Sequence, residues 1–308
     1  MLTRRSILAA LAPACGFHGA ILRAGFAGPA KRVAVVFPSA LEPCAEALEG
    51  LRTRLAGNPV ELDLLDVNKT GFDADAAREL ARNPAVIVAV GAEAVEAVLE
   101  RKSSAKTVST MTLQGDRAAA SQTGRLTAAV YLDIPIHMLL AELRRLFPDK
   151  SRVGLISNPR RGGERTQLRS QAAQPLDLQI AECATAEELL PVFLAFRRKV
   201  DFVVCLPDGS LYNSATARPL IMASLENRLP IVGFSPAFLR AGAAVAIYPD
   251  YRSIGSQTGD VVCRCLEERD CSCWEMPRRV NVAVNARVLR MLGIEVRANA
   301  NPELVILR

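Results

Sequence analysis

Short apolar runs, each closed by a turn signal and followed by a stretch of helical period, recur along this chain in two successive groups. Few folds accept that alternation. A β-rich run with no polar face must be buried on both sides, and the intervening helices must supply the cover. In the first group, residues 32–37 form an apolar run ending at Pro38-Ser39. Residues 41–55 follow helical period until Gly57-Asn58-Pro59 stops them. The pattern then predicts strands at 60–65 and 85–90, with a helix at 73–82 between them that ends at Asn83-Pro84. Gly91-Ala92-Glu93 turns the buried strand into a helix reaching Lys102, and strands at 107–113 and 126–131 complete the group.

The second group begins after Asp133. It predicts helix at 134–147, strand at 152–157, a helix to about residue 174, strand at 176–181 and helix at 187–199. Strand at 201–205, helix at 211–227 and strand at 230–234 follow. The doubling argues two α/β lobes with parallel sheets. The chain has 308 residues, half of them hydrophobic, which suffices for two ordinary cores. Its formal charge of +6 comes from scattered Lys and Arg, with no basic run interleaved with aromatics. That is a solvated basic surface, and nucleic acid is not an expected partner.

Residues 1–30 are read as an export signal. Arg4-Arg5 precede an apolar stretch, 6–14, too short to span a bilayer as a mature anchor. Residues 3–8 resemble a twin-arginine signal without its usual Lys. Cys15 after Ala12-Pro13-Ala14 offers a lipoprotein alternative, although the Leu expected three places earlier is absent. Arg23, interrupting the apolar stretch, fits a cytoplasmic N-terminus instead. A periplasmic or extracytoplasmic location is expected, and the type of signal stays open.

Eight cysteines suit an oxidising compartment. Cys263-x-Cys265 and Cys271-x-Cys273 are read as one or two local disulfides pinning a helix end to the next turn, with all four oxidised. A soft metal is the alternative, but the spacing is not that of a standard zinc module. Cys183 and Cys205 lie in apolar strand contexts and are expected in the core. No metal or cofactor is expected.

From Asp208 onward the chain reads Asp-Gly-Ser-Leu-Tyr-Asn, a long helix, then Leu-Pro-Ile-Val-Gly-Phe-Ser-Pro-Ala-Phe and Tyr-Pro-Asp-Tyr-Arg-Ser-Ile-Gly. It closes with Val-Asn-Val-Ala-Val-Asn-Ala-Arg-Val-Leu. These segments, with Arg152-Val-Gly-Leu-Ile-Ser-Asn-Pro, resemble the substrate-binding proteins of ABC transporters with a type I periplasmic-binding fold, in the branch that includes aromatic amino-acid binders. The resemblance covers nearly all of residues 31–298. It implies two Rossmann-like lobes, 31–132 plus 250–277 and 133–249 plus 278–308, joined by a three-strand hinge. It also implies a monomer that carries a small polar molecule to an inner-membrane ABC permease and has no catalytic activity.

In open α/β sheets, ligands bind beyond the carboxyl ends of the strands. Ser39 and Gly91 in the first lobe, Asn158 and Asp208 in the second, and Ser235 near the hinge are therefore the candidate ligand contacts. Ser39, Gly91, Asn158 and Asp208 are each expected just before a helix, where free N–H groups would face a carboxylate or another polar group. The other reading of each is an N-cap for its own helix. Arg160 and Arg161 beside Asn158 favour an acidic group on the ligand. Relatives carry Gly-Thr where this chain has Gly91-Ala92, and a strand ending in Asp-Pro where it has residues 106–114, so the first-lobe half of the site is altered. An envelope sensor or interaction protein with the same fold is the alternative function. A racemase of two pseudo-symmetric lobes would need a cysteine at the cleft on each side. Cys44 and Cys205 lack the sequence contexts of those enzymes.

Overall fold

The computed structural model describes residues 30–101, 103–116, 126–160, 176–268, 270–297 and 305–307. The stretch expected to be an export signal, with Cys15, and the helix expected before residue 174, with Arg161, lie outside the described residues. The first group of elements is β1 (Lys31–Phe37), α1 (Glu42–Leu55), β2 (Val60–Asp66), α2 (Phe72–Ala81), β3 (Val86–Val90), α3 (Ala92–Leu99), β4 (Lys106–Thr112) and β5 (Leu126–Tyr131). The second is α4 (Ile136–Leu146), β6 (Arg152–Ser157), β7 (Asp177–Glu182), α5 (Leu189–Leu194), β8 (Phe202–Cys205), α6 (Ser214–Glu226), β9 (Ile231–Gly233), α7 (Pro236–Ala241) and β10 (Val245–Pro249). The chain ends with α8 (Tyr251–Glu267), β11 (Cys273–Glu275), β12 (Val280–Asn285), α9 (Ala286–Leu292) and β13 (Val305–Leu307).

Two sheets result. Sheet one runs β11-β5-β4-β3-β1-β2, with its strand pairs parallel. Sheet two runs β13-β12-β10-β9-β8-β6-β7. Period-two alternation explains their burial. Val33, Val35, Val86, Val88 and Val90 face one core, under α1 and α8, whereas Ala34, Val36, Ile87 and Ala89 face another, against α2 and α3. Sheet two repeats this: Val153, Leu155 and Val204 pack with α4 and α9, and Ile156, Val203 and Cys205 pack with α5, α6 and α7. Cys183 and Cys205 are core residues.

Several expectations are corrected. Sheet two is not wholly parallel, because β12 pairs antiparallel with β10. The chain has returned through β11 of sheet one, so it enters β12 from the hinge end. The helix expected at 211–227 starts at Ser214, because Asn213 accepts from the Ala215 and Thr216 N–H groups and Thr216 closes a capping box. Leu211 and Tyr212 are instead buried in the loop before it. The helix expected at 187–199 is regular only from Leu189 to Leu194 and ends in turns that include Arg198 at φ 62°.

The chain passes between the sheets three times: from β5 to α4, from β10 to α8, and from β11 to β12. The last two connectors are tied together, the Asp250 N–H donating to the Arg279 carbonyl at 3.2 Å. α8 packs along α1 at unusually close range. A Cβ on Gly255 would lie 1.8 Å from the Ala47 carbonyl oxygen, and one on Gly50 would lie 2.0 Å from that of Arg252, so only glycine fits at either position.

Cys265 and Cys271 form a disulfide joining the end of α8 to the segment that leads into β11. Cys263 and Cys273 are free thiols, which corrects the expectation that all four are oxidised. Cys263 and Cys265, two apart on a helix, face different ways, and only Cys265 is buried toward β11. Among the described residues, no helix is long and apolar enough to cross a membrane, and no three His, Cys, Asp or Glu side chains are grouped to hold a metal.

Candidate functional site

Because β1, β3 and β4 are parallel neighbours, their carboxyl ends share one edge, and the loops after them lie side by side. Ser39 follows β1 and Gly91 follows β3. Gly91 sits at φ 86°, strained for any residue with a side chain. Its absent Cβ would lie 3.6 Å from Cys44 Sγ and 3.8 Å from Pro38 Cγ. The N–H groups of these two residues themselves are tied into the fold. The Gly91 N–H donates to the Thr110 carbonyl at 2.8 Å, and the Ser39 N–H donates to Asp66 Oδ1 at 3.0 Å. Asn68 Oδ1 likewise accepts from the Ala40 N–H at 3.3 Å. Burial alone would raise the Asp66 carboxyl. The Ser39 hydroxyl and N–H and the Asn68 N–H outweigh it and hold the carboxyl below the usual carboxylate range.

Sheet two presents a different edge. Asn158 follows β6 and Asp208 follows the adjacent β8, and both are more than nine-tenths buried. Asn158 Nδ2 donates to Asp208 Oδ2 at 2.7 Å and to Ser210 Oγ at 3.3 Å. Asp208 Oδ1 accepts from the Ser210 N–H at 2.9 Å and its hydroxyl at 2.6 Å. Asn158 Oδ1 takes the Arg160 N–H at 3.0 Å, which fixes the turn on which exposed Arg160 sits. Asp208 does not precede a helix directly, so the cap reading fails for it. Asn213 caps α6, and Asp208 shapes an Asx turn through Ser210. Ser235, beyond β9, caps α7 by accepting the Phe238 N–H at 3.2 Å.

Sequence reasoning missed four residues at these edges. Ser210 binds both members of the pair, and Asp-Gly-Ser was a readable turn signal for it. Asp66 and Asn68, at the end of β2, hold the Ser39 loop across 27 and 28 positions. Buried Met111 sits at φ 58° at the end of β4, between Thr110 and Thr112, where the register with β5 shifts. A strained residue of this kind gathers near functional edges.

The thiols near these edges are poor proton carriers. Burial pushes Cys44 up to about 11 and Cys205 up to about 12. Both stay neutral at ordinary pH, whereas a thiol that abstracts a proton must reach its thiolate.

A model of the family described as ABC transporter substrate binding protein matches residues 120–300. No curated protein matches the chain. Among solved structures, a ligand-free, open substrate binding protein with adhesive properties from Clostridium difficile is similar at 14% identity and TM-score 0.67, over 90% of this chain and 99% of that one. An ABC domain in complex with L-Trp from Streptococcus pneumoniae is similar at 15% identity and TM-score 0.57, over 91% and 100%. A conserved domain protein from Vibrio cholerae is similar at 19% identity and TM-score 0.57, with the same coverage. At these identities the likeness is one of fold, that of two-lobed binding proteins. The family match, in contrast, spans more than half of the chain, and on that ground the protein belongs to the ABC transporter substrate-binding proteins.

Proposed function

We propose that this chain is an exported solute-binding protein that closes two lobes, 31–132 plus 250–277 and 133–249 plus 278–308, on a small polar molecule and presents it to an ABC permease as a monomer. The observation that carries the reading is the buried Asn158–Asp208–Ser210 network at the carboxyl edge of sheet two. Buried polar groups are costly unless satisfied, and a satisfied network fixes its geometry. Here it holds a carboxylate and the Arg160 loop at the edge where sheets of this class bind ligands. Ser39 and Gly91 supply the opposing wall and Ser235 the end near the hinge. Because α8 and the connectors join the lobes at three points, closure by hinge bending is the motion available. Arg160 favours a ligand with an acidic group. The pneumococcal structure holds L-Trp; Ala92 stands where relatives carry a Thr hydroxyl, which argues against an aromatic amino acid as the ligand of this chain.

Binding without chemistry fits the neutral, buried thiols Cys44 and Cys205. Export fits Arg4-Arg5 and the apolar stretch behind them. Native mass spectrometry of protein taken from its own envelope identifies the retained solute, and calorimetry with that solute tests the site. Asp208→Ala is expected to cost about 1–3 kcal/mol of binding, roughly ten- to a hundredfold. Unchanged affinity in both Asp208→Ala and Asn158→Ala sends the site elsewhere.

A further inference from the structure

We propose that a groove at the hinge, between the α1–α8 pair and the connectors at Asp250 and Arg278–Arg279, is a second site that binds an anion through phosphate or carboxylate oxygens. The groove has a volume of about 680 Å³, within the range of small-molecule sites, and shares no residue with the cleft edge. Four arginines line it, Arg54, Arg252, Arg278 and Arg279, against two carboxylates, Asp250 and Asp260.

Both carboxylates are already committed. Asp260 receives Arg54 Nε at 2.6 Å and Arg278 Nη1 at 2.9 Å. Asp250 caps α8, accepting the Ser253 N–H at 3.0 Å. Arg278 is further held by Glu275 at 2.8 Å. Two guanidinium groups are left over. Arg252 has a 3.9 Å pair with Glu49 and its side chain is 63% exposed. Arg279 is exposed and makes no side-chain ion pair or hydrogen bond among the described residues. Ser253 and Ser256, on the first turns of α8, add half-buried hydroxyl donors. The unpaired Arg279 fork and the loosely paired Arg252, with these hydroxyls in the same groove, match a polyoxygen anion, which each fork grips through paired N–H donors.

Position gives the site its consequence. Its walls are the lobe-one helices, and its floor is the hydrogen-bonded pair of connectors that must bend when the cleft closes. An anion held there binds the open and closed forms with different affinity, so its occupancy and solute binding shift one another equally.

The test uses full-length protein at low ionic strength and inorganic phosphate as the calorimetric probe. Wild type is expected to bind, and Arg252→Gln/Arg279→Gln to bind at least about tenfold more weakly. A charge-matched control, Arg144→Gln/Arg218→Gln at exposed positions elsewhere, is expected to behave as wild type. A second arm uses phosphatidylglycerol vesicles against phosphatidylcholine vesicles. Vesicle binding that depends on Arg252 and Arg279, with no response to free phosphate, supports the site and assigns its occupant to a lipid headgroup. Absence of binding in both arms, or equal weakening by the control pair, overturns the proposal.

Discussion

At the carboxyl edge of sheet one, the donors are main-chain N–H groups and the Ser39 hydroxyl, and the acceptors are a carbonyl, half-buried Asp66 and exposed Asn68. At the matching edge of sheet two the bonds run between buried side chains, Asn158, Asp208 and Ser210. The first arrangement shapes a wall with little chemistry of its own. The second plants a carboxylate and an amide at fixed positions, where one substitution changes what the edge can recognise. On the proposed binding reading, two similar folds in one chain would divide the work, one lobe supplying shape and the other selectivity.

The sharpest way to break that division lies behind the first wall. Gly255→Ala forces a methyl into the Ala47 carbonyl, so α8 must leave α1. It is expected to destabilise sheet one by about 3 kcal/mol or more. Trp274, the single tryptophan, lies on β11 and stacks near Tyr131, so its fluorescence reports this lobe. Loss of that signal before the loss of helix by circular dichroism is the expected result, and coincident transitions count against lobes that unfold separately.

Asp208→Ala attacks the other edge. It strands Asn158 and Ser210 and is expected to cost about 2–3 kcal/mol. Hydrogen exchange of the β6 and β8 peptides should quicken while the Trp274 transition stays in place. Reducing the Cys265–Cys271 bridge returns the comparison to sheet one. A small closed loop of this kind contributes about 2 kcal/mol, and the Trp274 transition should fall accordingly. Alkylation of unfolded, non-reduced protein should label Cys263 and Cys273 and spare Cys265 and Cys271.

The smallest effect concerns Asp66. Its folded carboxyl lies below its unfolded value, so its contribution is present above the ordinary carboxylate range and lost as pH falls through the lowered value. Asp66→Asn should flatten the acid limb of the stability curve by less than about 1 kcal/mol, since solvent screens the group. An unaltered acid limb would remove Asp66 from the account of the first wall.

Much of this architecture was legible in the chain. The runs at β1, β3, β6 and β8 are rich in Val and Ile and bounded by Gly, Pro or Asn, so both sheets and their edges follow from period and punctuation. The partners chosen at those edges were not legible. Ser39 meets Asp66 and Asn158 meets Asp208 across 27 and 50 positions, through strand order that local pattern does not carry. The same holds for β12, whose reversal depends on where the chain re-enters the sheet, and for the cysteines, where helix facing selects one bridge from four thiols.

The ion pair between Arg54 and Asp260 joins α1 to α8 across 206 positions. In between, the whole β6–β10 portion of sheet two is made. During synthesis, the part of the chain that emerges first therefore waits for its covering helix until almost everything else has appeared. Sheet two can consolidate while sheet one is still one helix short of its core, and the delay grows with the length of chain that must close. The late docking of α8 on Gly50 thus sets the moment at which the leading half of the chain is fixed in its final packing.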